Sequence, residues 1–324
     1  NYEFDEGLTI IKETFDSNFF NADLYANSET IKLISNKKGK VHISTSEPDL
    51  KPVASFSHDR VKDRLIETKN NIYLRELGIT NAKWEIRHEM TNKFKQINKY
   101  IELLAPNINE ITLPEEFHVS DMGSGKGYLT FALYDYLTNT LSKKVKMTGV
   151  EFREELVKSS NVIAEKAGYS NLNFIEGTIE KVSIENIDIL IALHACDTAT
   201  DEAIYKGIKS NASLIVCAPC CHKQIRKELN VTNELSNIVK HGILKERQAE
   251  IVTETLRSMI MEAFGYRTKI FEFISTEHTP KNLMIVGRKS ETSEESREEI
   301  LSSIKAIKNT YGIKKHYLET LLSI

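Results

Sequence analysis

The chain reads as an α/β protein. Its core is expected to be a mostly parallel sheet wrapped by helices, with its last strand reversed, behind a small α+β segment. Three observations predict this. From Phe117 onward, short apolar strands recur about every 25 residues with helical stretches between them, the pattern of right-handed β-α-β units. The first of these strands runs straight into Gly123-Ser124-Gly125-Lys126-Gly127 and then a helix. The last two strands are joined by the short link Ser275 to Asn282, and short links join antiparallel strands.

Residues 1–88 carry no glycine motif and form the expected front domain, with substrate docking as a candidate role. Thr30 to Ser35 and Lys40 to Thr45 read as strands of a hairpin around Asn36-Lys37-Lys38-Gly39. Ser57 to Glu67 reads as a short helix. Its cations Arg60, Lys62 and Arg64, with His58, Lys69 and Arg75 nearby, offer a basic face for phosphates. The interleaved Asp59, Asp63 and Glu67 fit a plain solvated helix as well. The second domain, 89–324, opens with a helix over Met90 to Ala105. Met90, Phe94, Ile97, Ile101 and Leu104 recur at helical spacing, and Pro106 is expected to stop it.

Strands follow at His118–Met122, Val145–Val150, Leu172–Ile175, Ile187–Ala192 and Ser213–Cys217. Helices lie between at Gly127–Leu137, Glu154–Ala167 and Asp201–Ile208. Lys223 to about Glu250 is polar and helical, too long for a simple crossover, and reads as a cap over the sheet edge. Ile251–Phe264 is a helix, and Arg267–Ile274 and Leu283–Gly287 are the last strands. Ser296 to Glu299 reads as a capping box opening a helix whose face is Ile300, Ile304, Ile307 and Tyr311.

Composition narrows the function class. Hydrophobic content of 40% and charged content of 27% are those of an ordinary folded chain with a sizeable core. A net charge of −3 gives no global basic field, so nucleic-acid contact needs a local patch and DNA is not an expected partner. No apolar run approaches the roughly 18 residues of a membrane span, and no signal-peptide pattern is visible. Three of the four cysteines crowd into Cys217-Ala218-Pro219-Cys220-Cys221, which suggests a reducing compartment and a local site; a cytoplasmic protein is expected.

The glycine turn reads Asp121-Met122-Gly123-Ser124-Gly125-Lys126-Gly127, neither a dinucleotide fingerprint nor a P-loop. An aspartate here is a poor neighbour for a pyrophosphate and suits a ligand that is cationic or rich in donors. Glu151, at the end of the second strand, stands where a carboxylate can grip ribose hydroxyls. The turn resembles the first motif of the class I S-adenosylmethionine-dependent methyltransferases, whose Rossmann-like sheet has seven strands with the last reversed. With the loop Leu193-His194-Ala195-Cys196-Asp197-Thr198-Ala199-Thr200-Asp201 and Pro219-Cys220-Cys221-His222, it is similar to a branch containing tRNA ribose methyltransferases and poorly characterised bacterial relatives. The resemblance implies S-adenosylmethionine as cofactor. It would be held by Asp121, Gly123, Ser124, Gly125, Gly127, Glu151, Phe152, Gly177, Thr178, Ile179 and Leu193. RNA is the expected partner, but the zinc-finger cysteines of the tRNA enzymes are absent from residues 1–116, so their own substrate does not carry over. Thr178 stands where the family often has an acid for the adenine amino group, and Ile179 is placed to pack on the ring.

The loop after the fourth strand faces the methyl group in this fold and offers Asp197 or His194 as a general base. Asp197 or Thr198 as a cap of the next helix is the competing role. Cys220 or Cys221 is a candidate nucleophile toward a pyrimidine. A structural role, or a zinc site using Cys196, Cys217 and Cys220 or Cys221, are the alternatives, and no metal is expected. His278, Lys281 and Asn282, in the last link, are candidate substrate contacts. A methyltransferase acting on protein or a small molecule, and a non-catalytic S-adenosylmethionine- or zinc-binding scaffold, are the alternative functions; the target atom and the oligomeric state cannot be read from the sequence.

Overall fold

The computed structural model describes residues 2–25, 29–35, 40–46, 65–193, 195–272 and 283–324. It divides into two units, Asn1–Asp63 and Arg64–Ile324. In the first, helix α1 (Phe4–Asn18) precedes a sheet of β1 (Asn21–Tyr25), β2 (Thr30–Ser35) and β3 (Val41–Ser46), in that order and antiparallel. The two expected strands are β2 and β3; α1 and β1 were not legible. Their turn, 36–39, lies outside the described residues. So does most of the helix expected over Ser57–Glu67; the described remainder, 65–67, is not helical.

The second unit begins earlier than the expected boundary at residue 88. Ile66, Tyr73, Leu74 and Ile79 are fully buried in the core of the large sheet, which places 65–88 with it. Tyr73, on the short helix α2 (Ile72–Glu76), stacks on Phe131 with ring centroids 5.7 Å apart. Helix α3 (Thr91–Asn109) buries Phe94, Ile97, Tyr100, Ile101 and Leu104, as the spacing predicts, but runs through Pro106. The proline forfeits one backbone bond. Asn107 Nδ2 donates to the Leu103 carbonyl at 2.8 Å, and the extra turn buries Ile108. That burial is worth about 1.5–3 kcal/mol, comparable with the ~3 kcal/mol a mid-helix proline costs.

The sheet follows in chain order: β4 (Glu116–Met122), α4 (Tyr128–Asp135, continued by a π-helical turn over Tyr136–Thr140), β5 (Lys144–Glu151), α5 (Glu154–Lys166), β6 (Leu172–Glu176), β7 (Ile189–Ala192), α6 (Thr198–Lys209) and β8 (Leu214–Cys217). Then come α7 (Lys223–Glu228), α8 (Ser236–Val239), α9 (Gly242–Ala263), β9 (Tyr266–Glu272), β10 (Leu283–Lys289), α10 (Glu294–Tyr311) and α11 (Tyr317–Leu322). Spatial order is β6-β5-β4-β7-β8-β10-β9. The first five strands in that order are parallel, and β10 is antiparallel to both β8 and β9. The reversed last strand is therefore inserted beside β8 rather than added at the edge.

The expected cap, 223–250, is broken into α7, α8 and the first turns of α9, and Ile225, Leu229 and Ala249 are buried in the core. It is a packing layer more than a lid. Helix α10 is capped by Ser293, whose hydroxyl accepts from the Ser296 amide, not by a box starting at Ser296. Its expected face does pack inward, with Ile304 fully buried. The capping box sits at His316 and Glu319, opening α11. Among the described residues no helix is long and apolar enough to cross a membrane.

The placement of 65–88 has a measurable consequence. Leu74→Ala should lower the stability of the large unit by about 2–5 kcal/mol in a urea titration followed by circular dichroism. Ile43→Ala, in the exposed strand β3, should leave that transition in place. An unmoved midpoint in Leu74→Ala would detach 65–88 from the core.

Candidate active site

The bend between β4 and α4 is fastened to the neighbouring strand. The amides of Gly123 and Ser124 both donate to the Val150 carbonyl at 2.9 Å, and the Gly125 amide donates to Glu151 Oε2 at 2.9 Å. Gly123, Gly125 and Gly127 all have positive φ (87°, 58° and 76°), a region costly for any residue with a Cβ. Gly127 has a second reason: a Cβ there would lie 3.0 Å from the Phe131 ring and 3.3 Å from Phe174. A Cβ at Gly123 would point into open space, so the backbone there can be approached closely by a ligand.

Two acids flank the bend. Asp121 is 4% exposed, and the Thr130 hydroxyl donates to its Oδ2 at 2.5 Å. Burial pushes its carboxyl up to about 6, against the opposing pull of that hydrogen bond. Glu151 is as buried, and both its oxygens are engaged. Oε1 accepts from the Arg153 amide (3.1 Å) and Nε (2.8 Å), and Oε2 accepts from Gly125 and Arg153 Nη2. Burial raises its pKa, but the Arg153 hydrogen bonds and charge together with the Gly125 amide outweigh this and hold it below the usual carboxylate range.

A cleft of about 670 Å³ opens beside this bend, at the carboxyl ends of the strands. Gly123, Gly125, Glu151, Phe152, Gly177, Thr178 and Ile179 line it, as expected. Phe152 is largely exposed, with the Arg153 guanidinium 5.4 Å from its ring centre. The expectation fails for Leu193, which points into the hydrophobic core, because the strand's alternation turns it away from the cleft. Ser124, Gly127 and Asp121 are not on the wall either. The Ser124 hydroxyl donates to the Val150 carbonyl, Gly127 packs on Phe131, and Asp121 sits behind the turn. The far wall holds residues not anticipated: Glu180, Glu202 and Tyr317. The Tyr317 hydroxyl donates to Glu202 Oε1 at 2.6 Å, and that bond raises the phenol to about 12, keeping it a neutral donor.

The loop after β7 contributes Ala195, Cys196, Thr198 and Ala199 to the cleft. Asp197 adopts φ 56° and ψ −122°, a strained conformation for a residue with a Cβ that costs on the order of 1–3 kcal/mol. It is held from two sides. Arg257 Nη2 donates to its carbonyl at 2.8 Å, and its own Oδ1 accepts from the Gln224 amide at 3.0 Å. Asp197 thus caps α7, not the helix that follows it, and is off the cleft wall. The general-base role is corrected for Asp197. His194, the other candidate, and His278, Lys281 and Asn282 lie outside the described residues.

Cys196, Cys220 and Cys221 converge: Cys196 Sγ is 3.4 Å from Cys220 Sγ, which is 3.6 Å from Cys221 Sγ. Cys217 belongs elsewhere, buried in the core with its thiol pushed up to about 12 by burial. Burial and the neighbouring thiols likewise push Cys220 up to about 12. In this setting it is a poor thiolate, which argues against Cys220 as the attacking group. Cys221 touches the same sulfur cluster and does not line the cleft.

Behind the loop lies a buried charge network that the sequence reading missed. Arg257, 1% exposed, pairs with Asp201 through Nε (2.8 Å) and Nη2 (3.2 Å), and with Glu254 through Nη1 (3.1 Å). His222 Nε2 bonds Glu254 Oε1 at 2.6 Å, so the histidine beside the cysteines faces this network and not the cleft. The signal in the sequence is the stripe Glu250, Glu254, Arg257, Met261, at helical spacing beside the apolar face of α9.

Residues 92–228 match the profile of a family described as a methyltransferase domain. The Glutathione S-transferase C-terminal domain-containing protein of Homo sapiens is 25% identical over 193 residues, covering 52% of this chain and 29% of that protein. The Mus musculus protein of the same name is 32% identical over the same shares. Protein-lysine N-methyltransferase EFM4 of Saccharomyces cerevisiae is 33% identical over 73 residues, 22% of this chain and 30% of that protein. The match thus spans under a third of these relatives' own length. Among solved structures, an rRNA methylase from Streptococcus thermophilus superposes with a TM-score of 0.38 at 15% identity, covering 61% of this chain and 96% of that one. A dimethyladenosine transferase from Plasmodium falciparum gives 0.40 at 14%, covering 70% and 72%. The sheet is of the Rossmann-like class I methyltransferase type, and the cofactor of such a domain is S-adenosylmethionine.

Removing Arg257 strands two buried carboxylates, so Arg257→Ala should cost about 3–5 kcal/mol in chemical denaturation. Lys158→Ala, which breaks the exposed Glu154–Lys158 pair, should change it by no more than ~0.5 kcal/mol. Equal effects would mean that the network adds nothing beyond a surface ion pair.

Proposed function

We propose that this protein transfers a methyl group from S-adenosylmethionine to an acceptor at the cleft beside Glu151 and Cys196, and that the acceptor is RNA. The observation that carries the cofactor half is the fastened glycine bend with a buried carboxylate on each side. It suits a cationic nucleoside and not a pyrophosphate. The single cation on the wall, Arg153 among the described residues, is already neutralised by Glu151.

The fit is good. Glu151 would take the ribose hydroxyls, with Arg153, about half exposed, giving way. Gly123 and Gly125 would allow close backbone approach, Phe152 and Ile179 would pack on the adenine, and the charge of Asp121, buried behind the bend, would compensate the ammonium from the far side of the glycine turn. S-adenosylmethionine supplies an electrophilic methyl group on a sulfonium. What the chain adds is an in-line approach and a cleft that sheds water, which methyl transfer needs more than a strong base. That agrees with Asp197 being committed to capping.

The RNA half rests on the resemblance of the Cys196 loop and the Pro219-Cys220-Cys221-His222 segment to tRNA ribose methyltransferases. A protein acceptor is the second reading, favoured by the partial similarity to a protein-lysine methyltransferase. Labelled cofactor incubated with fractionated cell RNA and protein separates them. Label in the RNA fraction that nuclease removes supports the first reading, and label that survives nuclease and yields to protease supports the second.

Asp121 gives the cofactor half a pH signature. With its carboxyl near 6, it is largely neutral at pH 5 and ionised at pH 7. A cation bound in the cleft on the other side of the bend favours the ionised form, so affinity should rise with pH across that interval and binding at pH 5 should release protons. Calorimetry should show S-adenosylmethionine binding about tenfold more tightly at pH 7 than at pH 5, and Asp121→Asn should flatten the difference. Glu151→Gln should weaken binding about 10–100-fold through loss of charge-assisted bonds. Wild-type affinity in both variants would remove the two acids from the site.

A further inference from the structure

The three sulfurs at the edge of the cleft have the spacing of a metal face. Tetrahedral zinc with Zn–S bonds of about 2.3 Å places its sulfurs about 3.8 Å apart. Here two of the three separations are 3.4 and 3.6 Å, and all three sulfurs lie within 4.8 Å of one another. They come from two loops that the fold brings side by side, since β7 and β8 are adjacent and parallel.

The loops are held from behind. The Arg257–Asp201–Glu254 network grips the Asp197 carbonyl, one residue after Cys196, and His222, one residue after Cys221. The thiols are thus brought together before any metal arrives, which lowers the ordering cost of binding one. Lys223 is close enough to Cys196 to offset the charge that three thiolates around one dication leave over.

We propose that Cys196, Cys220 and Cys221 bind one zinc ion, with the fourth coordination position left to water or to a donor atom of the methyl acceptor. Among the described residues no fourth His, Cys, Asp or Glu donor joins the three. Three protein ligands with an open place is the pattern of zinc sites that act on substrate. Cys196 is also part of the cleft wall, so the ion borders the space assigned to methyl transfer. The metal site itself does not depend on that assignment; only its nearness to an acceptor does.

The test uses the full chain, produced with added zinc and purified under reductant without chelator or a metal-binding tag. Elemental analysis should give about one zinc per chain, and X-ray absorption should show sulfur neighbours at about 2.3 Å. Cys196→Ser and Cys220→Ser should each fall below about a tenth of that content. Cys217→Ala, whose thiol is in the core, should keep it. Circular dichroism melts of the serine variants guard against simple unfolding. Wild-type protein with reduced thiols and no zinc would overturn the proposal, as would undiminished zinc in the Cys196→Ser/Cys220→Ser double variant, or copper(I) in its place. Zinc present without S-adenosylmethionine binding would instead defeat the methyl-transfer reading and leave this site standing.

Discussion

The constraint on which the rest of the structure depends is the fastening of the β4–α4 bend to the end of β5. Three consecutive amides, those of Gly123, Ser124 and Gly125, find their acceptors on Val150 and Glu151. Left-handed backbone at three glycines makes this possible, and the aromatic packing of Phe131 and Phe174 beneath Gly127 leaves no room for a side chain there. The same bonds fix where Glu151 can stand. A carboxylate that accepts a backbone amide from the bend cannot drift from it, so turn and acid form one rigid unit at the mouth of the sheet.

The opposite wall is held by a different kind of force. Asp197 sits in an unfavourable backbone conformation and stays there because Arg257 and the start of α7 hold it. A buried arginine between two buried carboxylates is expensive to desolvate, and a hydrophobic trio of similar volume is often as stable. Its consequence here is positional. It links α6, α9 and the loops after β7 and β8, and so sets the place of Cys196 in the cleft. The C-terminal helix α11 adds Tyr317, which reaches Glu202 across more than a hundred residues of sequence. The cleft is therefore assembled from the strand ends of the sheet and from the last helix of the chain.

Much of this was legible because it is local. The strand-turn-helix alternation, the reversed last strand and the glycine bend with Asp121 and Glu151 all follow from periodicity and short spacing. What escaped is long-range or sits against a local rule. Pro106 reads as a helix stop, and only the burial of Ile108 shows why it is not one. The stripe holding Glu254 and Arg257 does not name its partners, because Asp201 and His222 arrive from other elements. Leu193 belongs to the motif in the chain but to the core in space. Residues 65–88 look like part of a front domain because nothing in their pattern announces that Tyr73 and Leu74 pack on the sheet.

The central claim is that the bend, Glu151 and the loop after β6 together receive S-adenosylmethionine. Hydrogen–deuterium exchange with and without the cofactor tests it most directly, since it reads the backbone amides themselves. Slowed exchange confined to peptides covering residues 121–130, 150–154 and 176–180 is the predicted result. Unchanged exchange across those peptides at saturating cofactor, or protection that appears only elsewhere in the chain, would contradict it.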